Sequence, residues 1–177
     1  MSDDHAAEAE EGSGRAGGGG LPARLGVAKR ECEYTSCYCE ENVYMLCQRL
    51  SKDGVKCYCC WVSNQDKTVA VWRQQSSEES EGLCVWDYHV ICLVEVPEDG
   101  ILVYDLDTTL PFPCGLEAYL SGAFKEGETA RRFSPHFRLV EAHQLFSSFS
   151  SDRSHMIKPD GSYSAPPPAY PCIHPPG

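Results

Sequence analysis

A helical pattern runs on from Glu40, where Val43, Leu46, Cys47 and Leu50 recur at the i, i+3, i+4, i+7 spacing of one buried face. Asp53-Gly54 supplies the stop. Glu40 and Glu41 sit in the first turn, where acids complement the helix dipole, and Thr35 or Ser36 is the expected N-cap. Two β-rich runs follow, CYCCWV at 57–62 and TVAVWR at 68–73, and the turn chemistry of SNQDK between them predicts a hairpin. QQSSEESEG at 74–82 reads as a solvated loop. LCVWDYHVICLVEV at 83–96 and ILVYDLD at 101–107 flank Pro97-Glu98-Asp99-Gly100, and their apolar content predicts a second hairpin of central strands covered on both faces. Short helices are expected over 115–124 and 141–149. The ending PPPAYPCIHPPG is too proline-rich for a helix or a sheet interior.

Residues 1–30 are acidic and rich in alanine and glycine, so they are expected to form a disordered tail that cannot offset the entropy of ordering. Residues 31–177 fit one compact domain. No apolar run is long enough to span a bilayer, and the N-terminus lacks the basic-then-apolar pattern of a secretory signal. The expectation is a soluble protein of the cytoplasm, with the nucleus as a second compartment, that has no membrane partner.

Charge narrows the partners. Residues 1–31 hold six acids and four bases, so of the net −11 a charge of −9 is left for the folded part. Such a balance argues against a phosphate backbone, and nucleic acid is excluded as a partner on that ground. It suits a cationic or free-amine ligand.

Eleven cysteines is an odd number in a chain with nothing to direct it to an oxidising compartment, so most are expected to be reduced thiols. Cys37/Cys39 and Cys57/Cys59/Cys60 form two clusters, but their C-x-C spacing differs from the C-x2-4-C knuckles of structural zinc sites, and no metal is expected. On a strand, Cys57 and Cys59 would share one face and Cys60 would point away. Cys47 and Cys92 read as small buried hydrophobes, as do Cys32, Cys60, Cys84, Cys114 and Cys172.

A nucleophilic thiol needs a base and a group that orients the base. Cys39 stands just ahead of the helix's apolar face, where backbone N–H groups and the dipole favour a thiolate and then an oxyanion, although Glu40 and Glu41 oppose the first effect. His89 is the candidate base, because an ionisable ring amid Tyr88, Val90 and Ile91 needs a reason. The orienting carboxylate would come from YDLD. A regular turn at 97–100 sets Asp105 against Cys92, in the wrong parity for His89. A one-residue bulge at Gly100 instead sets Ile91 against Asp105 and His89 against Asp107. Either carboxylate then reaches the ring, one diagonally and one directly, and strand arithmetic does not choose between them.

CEYTSCYCEENVYMLC, VWDYHV, YDLDTTLPFPC, FSSDRSHM and PPPAYPCI, in that order from about Cys32 to Ile173, resemble the protein N-terminal glutamine amidohydrolase family. The resemblance implies an α/β (α+β) domain with a central, mostly antiparallel sheet, flanking helices and a core like that of papain-like or transglutaminase-like cysteine hydrolases. It implies a catalytic triad of Cys39, His89 and Asp105, no cofactor, and conversion of N-terminal glutamine to glutamate with release of ammonia through a thioester. It also implies a role in N-end-rule degradation, and the partners it implies are proteins with a free N-terminal glutamine. A monomer is the default. Recognising the free amine calls for a carboxylate, and Glu41 and Asp87, with Ser36 nearby, are the substrate-binding candidates. Family members continue beyond PPPxYPCI, so a chain stopping at HPPG is expected to be C-terminally truncated. Two other readings share these residues: a thiol protease or transglutaminase-type enzyme using the same triad, and an inactive variant that at most binds peptide N-termini.

Overall fold

The computed structural model describes residues 25–97, 100–125, 127 and 132–176. The helical pattern becomes α1, Cys39–Lys52, which stops at Asp53-Gly54, where Gly54 takes a left-handed φ of 72° that costs glycine little. Five strands form the main sheet: β1 (Cys57–Ser63), β4 (Tyr88–Val96), β5 (Gly100–Tyr104), β6 (Cys114–Gly115) and β7 (His136–Glu141). Their order is β6-β5-β4-β1-β7 and every pairing is antiparallel. β2 (Val69–Val71) and β3 (Cys84–Trp86) pair in a separate two-stranded sheet. Two shorter helices, α2 (Leu116–Ala123) and α3 (Ala142–Ser148), fall where the sequence predicts them. This mixed fold is the predicted class, and a helix bearing Cys39 packed on an antiparallel sheet bearing His89 is compatible with a papain-like core.

The sheet separates two apolar cores. On one face, α1 and α3 bury Val43, Leu46, Cys47, Leu50 and Leu145 against Cys57, Cys59, Val90, Cys92 and Val94. On the other, Tyr119 and Ala123 of α2, with Val69 and Val71 of β2, cover Cys60, Val62, Ile91, Leu93 and Val103. Cys57 and Cys59 thus share a face that Cys60 does not, as strand alternation requires. Fully burying one such aliphatic side chain contributes about 1.5–3 kcal/mol, so the two cores hold β1 and β4 in place from both sides.

The first predicted hairpin does not form. β1 pairs with β4 and β7, whereas β2 pairs with β3. The turn itself is present, pinned by two hydrogen bonds between the Asn64 amide and the Thr68 backbone. It redirects the chain because Val69 and Val71 gain a second core by crossing to the sheet's other face. The run 83–96 also divides at Asp87, whose carboxylate accepts the Tyr88 N–H and sends β3 and β4 into different sheets.

The second hairpin forms in the shifted register. Val96 faces Gly100 and Cys92 faces Tyr104, so the same register continued sets Ile91 against Asp105. Gly100 carries the left-handed φ of 84° that such a connection needs.

The tail expectation needs correction at its end. Leu25 and Val27 are buried in the first core, the Leu25 carbonyl accepts from Tyr104 Oη at 2.8 Å, and Lys29–Glu31 forms a turn of 3-10 helix. The average composition of residues 1–30 conceals this local apolar pair. Residues 1–24, on which the rest of that expectation falls, lie outside the described residues.

Candidate active site

Cys39 opens α1, and the predicted caps Thr35 and Ser36 do not serve it. Tyr38 occupies the N-cap position and its side chain makes no capping hydrogen bond, after Cys37 at a φ of 70°. Asn42 reaches back instead: its amide accepts from the Thr35 N–H and donates to the Thr35 carbonyl, each at 2.8 Å. The loop ahead of Cys39 is therefore held from inside the helix, and the first N–H groups of α1 carry no side-chain cap.

His89, 3% exposed, is the second residue of β4, and Trp86 stacks on its ring at 5.7 Å between centroids. Its Nε2 lies 2.8 Å from Asp105 Oδ1. Asp105 is wholly buried just past β5. Its Oδ1 also accepts from the Asp107 N–H at 2.9 Å, and its Oδ2 accepts from Gln74 Nε2 at 3.0 Å and Tyr119 Oη at 2.9 Å. Gln74 and Tyr119 were not legible in the sequence as site residues. One lay in the run read as solvated loop, and the other sits on the apolar side of a short helix, where a tyrosine reads as core.

These contacts set the charges. Burial raises the Asp105 pKa, but the His89 charge and hydrogen bond, helped by Gln74 and the Asp107 amide, bring it down to about 2. Burial lowers the His89 pKa, yet Asp105, with Asp107 behind it, outweighs burial and the net direction is up. Burial first, then the neighbouring Glu40 carboxylate, pushes the Cys39 thiol well above its ordinary range, against a hydrogen bond from the Val90 backbone.

Cys39 and His89 line one cavity of about 200 Å³, together with Tyr34, Asn42, Trp86 and Asp107. His155 and Met156, from a later turn of 3-10 helix, line it too. A thiol at the first residue of α1 and a buried imidazole held by a carboxylate thus face one small space, an arrangement suited to acyl transfer.

The substrate-binding candidates fare differently. Glu41 is 1% exposed and both its oxygens accept from Arg153, at 2.8 and 2.7 Å, so it is already neutralised and does not line the cavity. Ser36 is exposed, with its Oγ 3.7 Å from Cys37 Sγ, and it too lies off the lining. Asp87 does line the cavity but is exposed. Neither C-x-C cluster gathers into a ligand set. Instead Cys47, Cys57 and Cys92, from three different elements, bring their sulfurs within 4.8 Å of one another in the apolar core.

The chain matches the model of the N-terminal glutamine amidase family over residues 34–177. It is 44% identical over 149 residues to the protein N-terminal glutamine amidohydrolase of Drosophila mojavensis, covering 81% of this chain and 72% of that one. It is 43% identical over 149 residues to that of Drosophila ananassae, with the same shares. With that of Bos taurus the identity is 41% over 147 residues, covering 80% of this chain and 70% of the relative. The motifs around Cys39, His89 and Asp105 all fall within the matched residues, and the chain belongs to the N-terminal glutamine amidase family.

Proposed function

We propose that the chain hydrolyses the side-chain amide of a glutamine at a protein's N-terminus, with Cys39 as nucleophile, His89 as proton carrier and Asp105 as the residue that orients the ring. The observation that carries this reading is that His89, which lines the same cavity as Cys39, is held through Nε2 at 2.8 Å by a buried, ionised Asp105 behind the cavity wall. The relatives' name supplies the substrate class.

With Nε2 held by Asp105, Nδ1 is the nitrogen left for the thiol. It takes the Cys39 proton as the sulfur attacks the carboxamide carbon, and the oxyanion turns to the uncapped N–H groups of α1. The imidazolium then gives its proton to the amide nitrogen, the C–N bond breaks and ammonia leaves. Water, deprotonated by His89, attacks the thioester, releasing N-terminal glutamate and restoring the thiol. Asp105 stays ionised throughout and stabilises the imidazolium twice in each cycle. No step calls for a metal or an organic cofactor. The glutamate so exposed would mark its protein for N-end-rule degradation.

The test is ammonia release from three peptides: one beginning with a free glutamine, the same peptide acetylated, and one with the glutamine moved inside. Release from the first alone is expected. Comparable release from the blocked or internal glutamine would replace this reading with a transglutaminase-like or general amidase activity.

A further inference from the structure

Asp107 is 6% exposed and lines the cavity beside His89. Its Oδ1 is well supplied, accepting from Tyr34 Oη at 2.8 Å and Ser76 Oγ at 2.7 Å. Its Oδ2 is buried and has no hydrogen-bond partner among the described residues. An unanswered carboxylate oxygen away from water is costly, and such a group is retained where a partner arrives from elsewhere. Lys29 is engaged elsewhere, its Nζ donating to the Thr108 carbonyl at 2.6 Å and the Gln75 amide oxygen at 3.2 Å. No lysine or arginine lines the cavity among the described residues.

We propose that Asp107 Oδ2 receives the substrate's α-ammonium group and is the residue that restricts the reaction to an N-terminal glutamine. This rests on the function proposed above and names how its site selects. The site needs a cationic donor, and the free amine is the one feature that separates a terminal from an internal glutamine. Tyr34 and Ser76 fix the carboxylate plane, so Oδ2 is preorganised before the substrate enters. The other acids serve less well: Glu41 is already paired, and Asp87 is exposed, where water screens an ion pair. An acetylated or internal nitrogen brings neither the charge nor the third proton, and it leaves Oδ2 buried without an answer.

The experiment compares two probes, a glutamine-initiated peptide and its desamino analogue, in which hydrogen replaces the α-amine and the carboxamide is untouched. Their kcat/KM ratio is measured for the parent chain, Asp107→Asn and Asp87→Asn. The amine-to-desamino ratio is expected to fall about 30-fold or more in Asp107→Asn, the effect of removing one partner of a buried, hydrogen-bonded charge pair. A ratio kept within threefold of the parent's, or a loss that appears in Asp87→Asn instead, overturns the assignment. Using a ratio removes any effect of Asp107 on His89, which both probes share. Should Asp107→Asn not fold, the Cys39→Ala chain labelled with 13C at aspartate carboxyls gives a second readout. The Asp107 resonance is expected to move on adding the amine peptide and to stay still with the desamino one. No movement with either overturns the inference. A parent chain that releases no ammonia from the amine peptide overturns the proposed function instead, and the resonance then decides the inference by itself.

Discussion

Cys39→Ala is expected to abolish ammonia release, and Asp105→Asn to lower kcat about 10⁴-fold, the scale seen when a triad carboxylate becomes an amide. Asp105 makes four hydrogen bonds, and the one with His89 engages Nε2, which leaves Nδ1 for the thiol in the proposed mechanism. Asparagine keeps the volume but loses the charge that stabilises the imidazolium, and its NH2 would meet a donor. The pH profile separates this from a folding defect. His89 must be neutral to accept the thiol proton, and its pKa is raised, so the parent rate should climb with pH through a value above the ordinary 6.5. In Asp105→Asn burial acts with much less opposition and the limb should shift toward lower pH. A limb that stays in place in the variant would mean that Asp105 does not set the charge of His89.

Arg153→Met is expected to destabilise the fold by about 3 kcal/mol, the lower end of the 3–5 kcal/mol range for breaking a buried ion pair, because Arg153 lies just beneath the surface. Glu41, fully enclosed, would keep a charge with no counter-ion. The guanidinium also stands over the Tyr38 and Tyr170 rings, at 5.9 and 5.5 Å, and donates to the Tyr170 carbonyl at 3.1 Å. Tyr38 in turn donates to the Ala165 carbonyl at 3.1 Å. Residues on both sides of Cys39 are thus clamped to a later segment that also brings His155 and Met156 to the cavity. Chemical denaturation of Arg153→Met, Glu41→Gln and the double variant tests this. The double variant should be more stable than Arg153→Met alone, since no unpaired charge is left. Additive losses would show that the pair acts by bulk rather than by charge.

The legible parts of this molecule were local. Apolar spacing marks α1, and the scarcity of ionisable groups in apolar strands points to His89. A glycine at position 100 suggests the shifted register, which the paired strands adopt. Strand partners were not legible, since β-branched and aromatic content identifies a strand without naming its neighbour, and β2 left β1 for a second core. The candidate site divides in the same way. Cys39, His89 and Asp105 follow from motif and resemblance, whereas Gln74 and Tyr119 matter only because the fold brings them to Asp105. Glu41 and Asp107 make the point most directly. Both are acids near Cys39 or His89, and only the donors around each oxygen show that one is satisfied and the other is not.

The clamp on α1 joins positions 112 residues apart. A ribosome therefore delivers the thiol, the imidazole and the aspartate well before it delivers the cation that seats the thiol's helix. Until Arg153 emerges, Glu41 is better solvated than buried, and the start of α1 has little reason to settle against the sheet. The growing chain carries the reactive groups in sequence but not yet in place. Translation order thereby delays assembly of the site until synthesis has passed Arg153.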